Sequence, residues 1–119
     1  MPIEVLEEPR WLEVRLTGSM TTGDSTAVRD LIPALVAGRD LLLDYSGVTD
    51  VLATVDALVV LIKSLVPAAT HCAILATRPA IFGVNRQAVL LAGLDESTRV
   101  RVFMERLKAV DWLLNAGAA

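Results

Sequence analysis

The stretch Leu41–Leu65, LLLDYSGVTDVLATVDALVVLIKSL, sets the strongest limit on what this chain can fold into. Leu41-Leu42-Leu43 is a continuous apolar run, as expected of a strand covered on both faces. Asp44, Ser46 and Gly47 then predict a tight turn, because Gly tolerates positive φ and Asp and Ser side chains bond turn backbone. From Thr54 the periodicity becomes helical. Val55, Leu58, Val59, Ile62 and Val66 share one stripe, Leu61 and Leu65 widen it, and Pro67 is expected to end it. A strand, a polar junction and a largely buried helix thus form the centre of the fold.

The flanking segments supply the rest. Ile3–Glu8 predicts a first strand turned by Pro9-Arg10. Trp11–Gly18 predicts a second, with Leu12, Val14 and Leu16 on one face and Trp11, Glu13, Arg15 and Thr17 on the other. Gly18 is read as its end. Thr21–Asp24 offers N-caps for a helix running to about Val36, with Val28, Leu31, Ile32 and Leu35 inward, Gly38 as its stop, and a kink or early end at Pro33. Cys72–Thr77 predicts another buried strand. Pro79 then opens a helix carrying Ile81, Val84, Ala88, Val89, Leu90 and Leu91, stopped by Gly93. Arg99–Phe103 alternates like an edge strand. Glu105–Asn115 predicts a last helix with Leu107, Val110, Leu113 and Leu114 inward and Trp112 partly so. The tail 116–119 is expected to fray.

Two edge strands followed by helix–strand units predict an α/β fold: a mixed sheet with an N-terminal hairpin at its edge and about four helices, mainly on one side. The 119 residues suit one domain, 1–119, with one core. With 54% hydrophobic residues but only 4% aromatic, that core is aliphatic.

The strand–turn–helix Asp44-Tyr45-Ser46-Gly47-Val48, followed by Thr49-Asp50-Val51, resembles the signature D-L-S-G-V-x-x-I-D-S-S-G-L of STAS domains, the SpoIIAA-like fold of bacterial anti-sigma factor antagonists. Leu16–Asp24 is similar to that family's strand end leading into its first helix. Thr77-Arg78-Pro79 resembles a strand-to-helix junction in sensory-complex members. Phe82-Gly83-Val84-Asn85-Arg86, Val100–Phe103 and Asp111-Trp112-Leu113 resemble small STAS-like proteins of undefined role. The resemblance implies a non-catalytic regulator that docks on an anti-sigma factor kinase-like or related signalling protein. It departs from the pattern at one place. The family's acidic residue falls on Leu52 and its phosphorylatable serine on Ala53, so the phosphoswitch is expected to be lost.

Asp44, Ser46, Thr49, Asp50, Ala53 and Thr54 are the candidate docking residues, at the carboxyl end of a strand where α/β sheets usually bind. The competing reading of these polar groups is turn chemistry and N-capping. Thr54 is a candidate phosphorylation site, since phosphate at a helix N-terminus meets the favourable end of the dipole. Arg78 and Arg86 are a candidate anion-binding pair; the alternative is pairing with surface carboxylates. An STAS-like small-molecule or lipid binder is the alternative function. A homodimer through an apolar patch of Trp11, the outward side of the first hairpin and Trp112 is a third reading.

Several classes are excluded by what the chain lacks. A net charge of −3 argues against nucleic-acid binding. One His and one Cys cannot build a familiar zinc site. Cys72 sits in an apolar run and is expected to be a buried, inert thiol. No G-x-S-x-G, P-loop or G-x-G-x-x-G occurs, so neither catalysis nor a cofactor is expected. No apolar stretch reaches the ~20 residues of a membrane span, and the start lacks signal-peptide character, which predicts a cytoplasmic protein.

Overall fold

A computed structural model of the chain describes residues 3–94 and 99–116. The elements run β1 (Ile3–Glu7), β2 (Leu12–Met20), α1 (Thr22–Val36), β3 (Leu41–Val51), α2 (Val55–Ala68), β4 (Cys72–Leu75), α3 (Pro79–Leu91), β5 (Val100–Phe103) and α4 (Arg106–Ala116). The five strands lie in sequence order, with β1 antiparallel to β2 and the others parallel. This is the expected mixed sheet with a hairpin edge.

One face of the sheet carries the main core. Leu12, Val14, Leu16, Leu41, Leu43, Tyr45, Ile74, Val100 and Val102 meet Val28, Ile32 and Val36 of α1, Leu58, Ile62 and Leu65 of α2, and Ile81, Ala88 and Val89 of α3. Among the described residues the opposite face is covered by α4 alone, where Ala109 and Leu113 pack on Leu42, Ala73 and Leu75. β3 and β4 are therefore buried on both faces, which is why they read as continuous apolar runs.

The helix ends follow local chemistry. Thr21 and Asp24 close a reciprocal capping box on α1. Gly38, at φ +81°, takes the chain out of that helix, and Gly93, at φ +74°, does the same after α3. Pro33 does not end α1 early: the helix reaches Val36, and the Pro33 carbonyl accepts from Ala37 N–H at 3.1 Å. Pro67 likewise lies inside the last turn of α2 rather than beyond it.

The expected turn at Asp44–Gly47 is not a turn. β3 continues to Val51, and β2 continues past Gly18 to Met20 beside it. Two register shifts in the β2–β3 pair, each placing one extra residue on β3 (opposite Arg15–Thr17 and opposite Gly18–Ser19), let the pair extend, and Gly18 takes φ +80° there. Gly47 serves close approach instead of positive φ. A Cβ on it would lie 2.7 Å from Thr17 Cγ2 and 3.1 Å from Leu16 O.

Some side-chain assignments also change. Leu107 is 85% exposed because Ala109 and Leu113 hold the inward stripe of α4. Leu31, Leu35, Leu90 and Leu91 are exposed, and Asn85 takes the buried place on α3. Trp11 and Trp112 do not form an outward patch; both pack against the α4-side cluster, with Trp112 edge-on to His71 at 5.8 Å. His71 Nδ1 pairs with Asp40 at 3.0 Å. Of the tail expected to fray, Ala116 is the last residue of α4, and 117–119 lie outside those described.

Candidate functional site

The candidate residues divide between two places. Along β3, side chains alternate between faces. Asp44 and Ser46 point to the α4 face with Leu42, whereas Thr49, Asp50, Ala53 and Thr54 lie beyond, at the carboxyl edge of the sheet.

At that edge the backbone is firmly held. The N–H groups of Leu52 and Ala53 both bond the Met20 carbonyl, at 2.7 and 2.9 Å. Ala53 is buried between them. Thr54 is the N-cap of α2: its Oγ1 accepts from Ala57 N–H at 3.1 Å, and its own N–H reaches Thr22 Oγ1 at 3.4 Å. The heads of α1 and α2 therefore sit side by side. Asp50 accepts from the Ser19 and Thr49 hydroxyls. Between these tethered residues, Leu52 stands 63% exposed. An open groove of about 500 Å³ runs from Thr49–Val51 to the first turn of α3, with Arg78, Pro79, Ile81 and Val84 as its other wall. Arg78 is the N-cap of α3 and makes no side-chain capping bond. Arg86 does not line this groove; its guanidinium lies over the Phe82 ring at 5.6 Å. The structure thus does not join Arg78 and Arg86 there.

On the α4 face a charged cluster is built around Glu13, which is fully buried. Its carboxylate accepts from both Arg106 terminal nitrogens, at 2.6 and 3.1 Å, from Arg15 Nε at 2.7 Å and from Trp11 Nε1 at 3.3 Å. Arg106 also lies 3.6 Å from Asp44, whose Oδ1 accepts from the backbone N–H and hydroxyl of Ser46. Burial pushes the Glu13 carboxyl up, but the hydrogen bonds from Arg106, Arg15 and Trp11, with the Arg106 charge, outweigh it and hold it below the usual range. Sequence alternation placed Glu13 on the outward side of β2 and gave no sign of this burial, since Arg106 is 93 positions away. The cluster anchors the head of α4 to the sheet.

Cys72 is buried, and burial pushes its thiol up to about 12, as expected of an inert core cysteine. Among the described residues no group of three or more His, Cys, Asp or Glu side chains can hold a metal ion, and no helix is long and apolar enough to cross a membrane.

No protein-family model matches this chain, and no curated protein matches it. Solved structures do. An uncharacterized protein of the DUF3478 family with a SpoIIAA-like fold, from Shewanella loihica, superposes with a TM-score of 0.60 at 17% identity, over 94% of this chain and 92% of that one. The anti-sigma factor antagonist SpoIIAA, in its unphosphorylated form, superposes with a TM-score of 0.60 at 12% identity, over 95% of this chain and 98% of its own. At these identities the likeness speaks to the fold, and it spans nearly the whole length of all three chains. The chain has the SpoIIAA-like fold.

Proposed function

We propose that this protein is a non-catalytic regulatory module that docks on a signalling protein, an anti-sigma factor kinase-like partner, through the edge formed by Thr49, Asp50, Leu52, Ala53 and Thr54. The observation that carries the reading is Leu52. A large apolar side chain stands in solvent while its backbone N–H and that of Ala53 are fixed to Met20. An apolar residue held out on a tethered backbone costs little ordering on binding and offers apolar surface for a partner to bury. On this reading Asp44 and Ser46 lie apart from the docking edge, on the α4 face, where Asp44 bonds Ser46 and faces Arg106. On this reading Ala53 leaves the module without the family's phosphoswitch, and Thr54 serves as a cap.

The test is affinity capture with the purified candidate kinase or from native lysate, read by mass spectrometry of captured proteins and bait. Wild type and Lys108→Glu, altered on the α4 face, are expected to retain the kinase-like partner; Leu52→Asp and Thr54→Glu are expected to lose it. Equal capture by all four rejects the edge. Phosphate on bait Thr54 would overturn the loss of the switch.

A second reading rests on the groove beside Arg78. Its wall of Val51, Pro79, Ile81 and Val84, with Arg78 and the start of α3 beside it, suits a small anionic molecule with an apolar tail. Native mass spectrometry against a panel of fatty acids and lysophospholipids tests it. Binding that Arg78→Ala does not weaken argues against this groove.

A further inference from the structure

We infer that the β1 edge and the outer flank of α1 form a self-complementary surface, on which a second copy of this chain pairs antiparallel about Val5. The backbone supplies the first observation. Glu8 N–H bonds the Trp11 carbonyl at 3.0 Å, just beyond the last ladder pair Glu7–Leu12, and so continues the β1–β2 register with a bonded pair. Bonded pairs alternate along an antiparallel ladder. Leu6 and Glu4 therefore also direct their backbone groups to β2, and Ile3, Val5 and Glu7 direct theirs outward. Among the described residues no other strand pairs with that side of β1.

The second observation concerns side chains. On α1, Val28, Ile32 and Val36 face the core, and Thr22, Thr26 and Arg29 line the groove toward α2. At 100° per residue, Leu31 and Leu35 fall on the opposite flank, toward the β1 edge. They are 46% and 45% exposed, and Val5, which projects from β1 on the same face of the sheet, is 37% exposed. An unpaired strand and an apolar strip thus run together along one edge.

Charge selects the occupant. Edge strands are usually blunted by charges, but here both glutamates of β1 are engaged within the chain. Arg15 reaches Glu4 at 3.5 Å, and Arg39 reaches Glu7 at 3.4 Å. With Val5 opposite Val5 of the second copy, Ile3 meets Glu7 and Glu4 meets Leu6, so no carboxylate faces another. The three outward residues then form bonded pairs, each exchanging two hydrogen bonds, about six in all. Moving the axis to Leu6 leaves about four bonds and sets Glu4 against Glu8, a destabilising like-charge pair. The two α1 flanks, with Leu31 and Leu35, are then brought together above the joined strands.

The test combines sedimentation with cross-linking. Wild type is expected to show a concentration-dependent dimer. Val5→Pro, which removes the outward donor, and Leu31→Glu/Leu35→Glu, which charges the flank, are each expected to raise the dimer Kd about tenfold or more. If Val5→Pro fails to fold, the double variant decides. In a bonded pair the Cα atoms lie about 5.5 Å apart, within disulfide reach. Oxidised Val5→Cys is therefore expected to give a covalent dimer, and Val60→Cys on α2 is not; Cys72 is buried and stays silent. A wild-type monomer throughout, or equal cross-linking at both positions, overturns the inference.

Discussion

Removing the Glu13 carboxylate tests whether the charged cluster holds α4 on the sheet. Glu13 has no exposed surface, and it accepts from two guanidinium groups and an indole. Breaking a buried pair by deleting one partner costs about 3–5 kcal/mol, chiefly because the other charge is left unpaired. Here the Arg106 and Arg15 side chains are 40% and 42% exposed and can turn partly to water. The expected cost of Glu13→Ala is therefore at the low end, about 3 kcal/mol, and that of Glu13→Gln about 2 kcal/mol, since the amide keeps one acceptor. With a urea m-value of about 1.5 kcal/mol per M, these lower the unfolding midpoint by roughly 2 M and 1.3 M. The pH dependence adds a second readout. The folded pKa of Glu13 lies below its unfolded value, so its stabilisation is complete above the unfolded pKa and is lost as pH falls toward the folded one. Wild type is expected to lose this increment on acidification below about pH 5, and Glu13→Gln, already without it, is expected to show a flatter acid limb. Urea titrations at pH 7 and at pH 4, followed by circular dichroism, measure both. A Glu13→Gln midpoint at pH 7 within 0.3 M of wild type (about 0.5 kcal/mol), with an unchanged acid limb, would refute the reasoning.

Three further outcomes are expected. Gly47→Ala drives a methyl against Thr17 and the Leu16 carbonyl and costs about 1–3 kcal/mol; denaturant midpoints of Gly47→Ala with and without Thr17→Ser are expected to show partial relief, and full tolerance would refute the close approach. Thr54→Ala removes the α2 cap acceptor and costs about 1 kcal/mol; an unchanged midpoint would contradict the capping role. Cys72 in native protein is expected to react with a thiol reagent at pH 8 only as fast as the chain unfolds. Reaction at the rate of a free thiol would show that the β4 core opens.

The ends of helices were legible in the sequence because caps act locally. Thr21 with Asp24, Thr54, Pro79, Gly38 and Gly93 each do their work within a few residues. The candidate site was legible only in part. Thr54 at the head of α2 followed from the same local chemistry, and Asp44-Tyr45-Ser46-Gly47 was visible as a polar interruption. That the interruption lies inside a strand was not visible, because its pairing depends on β2, some thirty positions away in the chain, and on two extra residues that β3 accommodates against it. The protrusion of Leu52 depends on the same long-range bonds to Met20.

The sequence by itself determined the order of strands and helices, the aliphatic core and most helix boundaries, since periodicity and capping report on contacts within one or two turns. Tertiary structure alone decided three things: where the edges of the sheet fall, which face α4 covers, and which charge meets which. Those choices join residues far apart in the chain. Glu13 reads as a solvent-facing residue until Arg106 arrives above it, and Leu31 and Leu35 read as core until α1 is set beside α2 and over the sheet, with its outer flank toward β1. A local pattern records that a side chain is apolar or charged; only the assembled layers fix what stands opposite it.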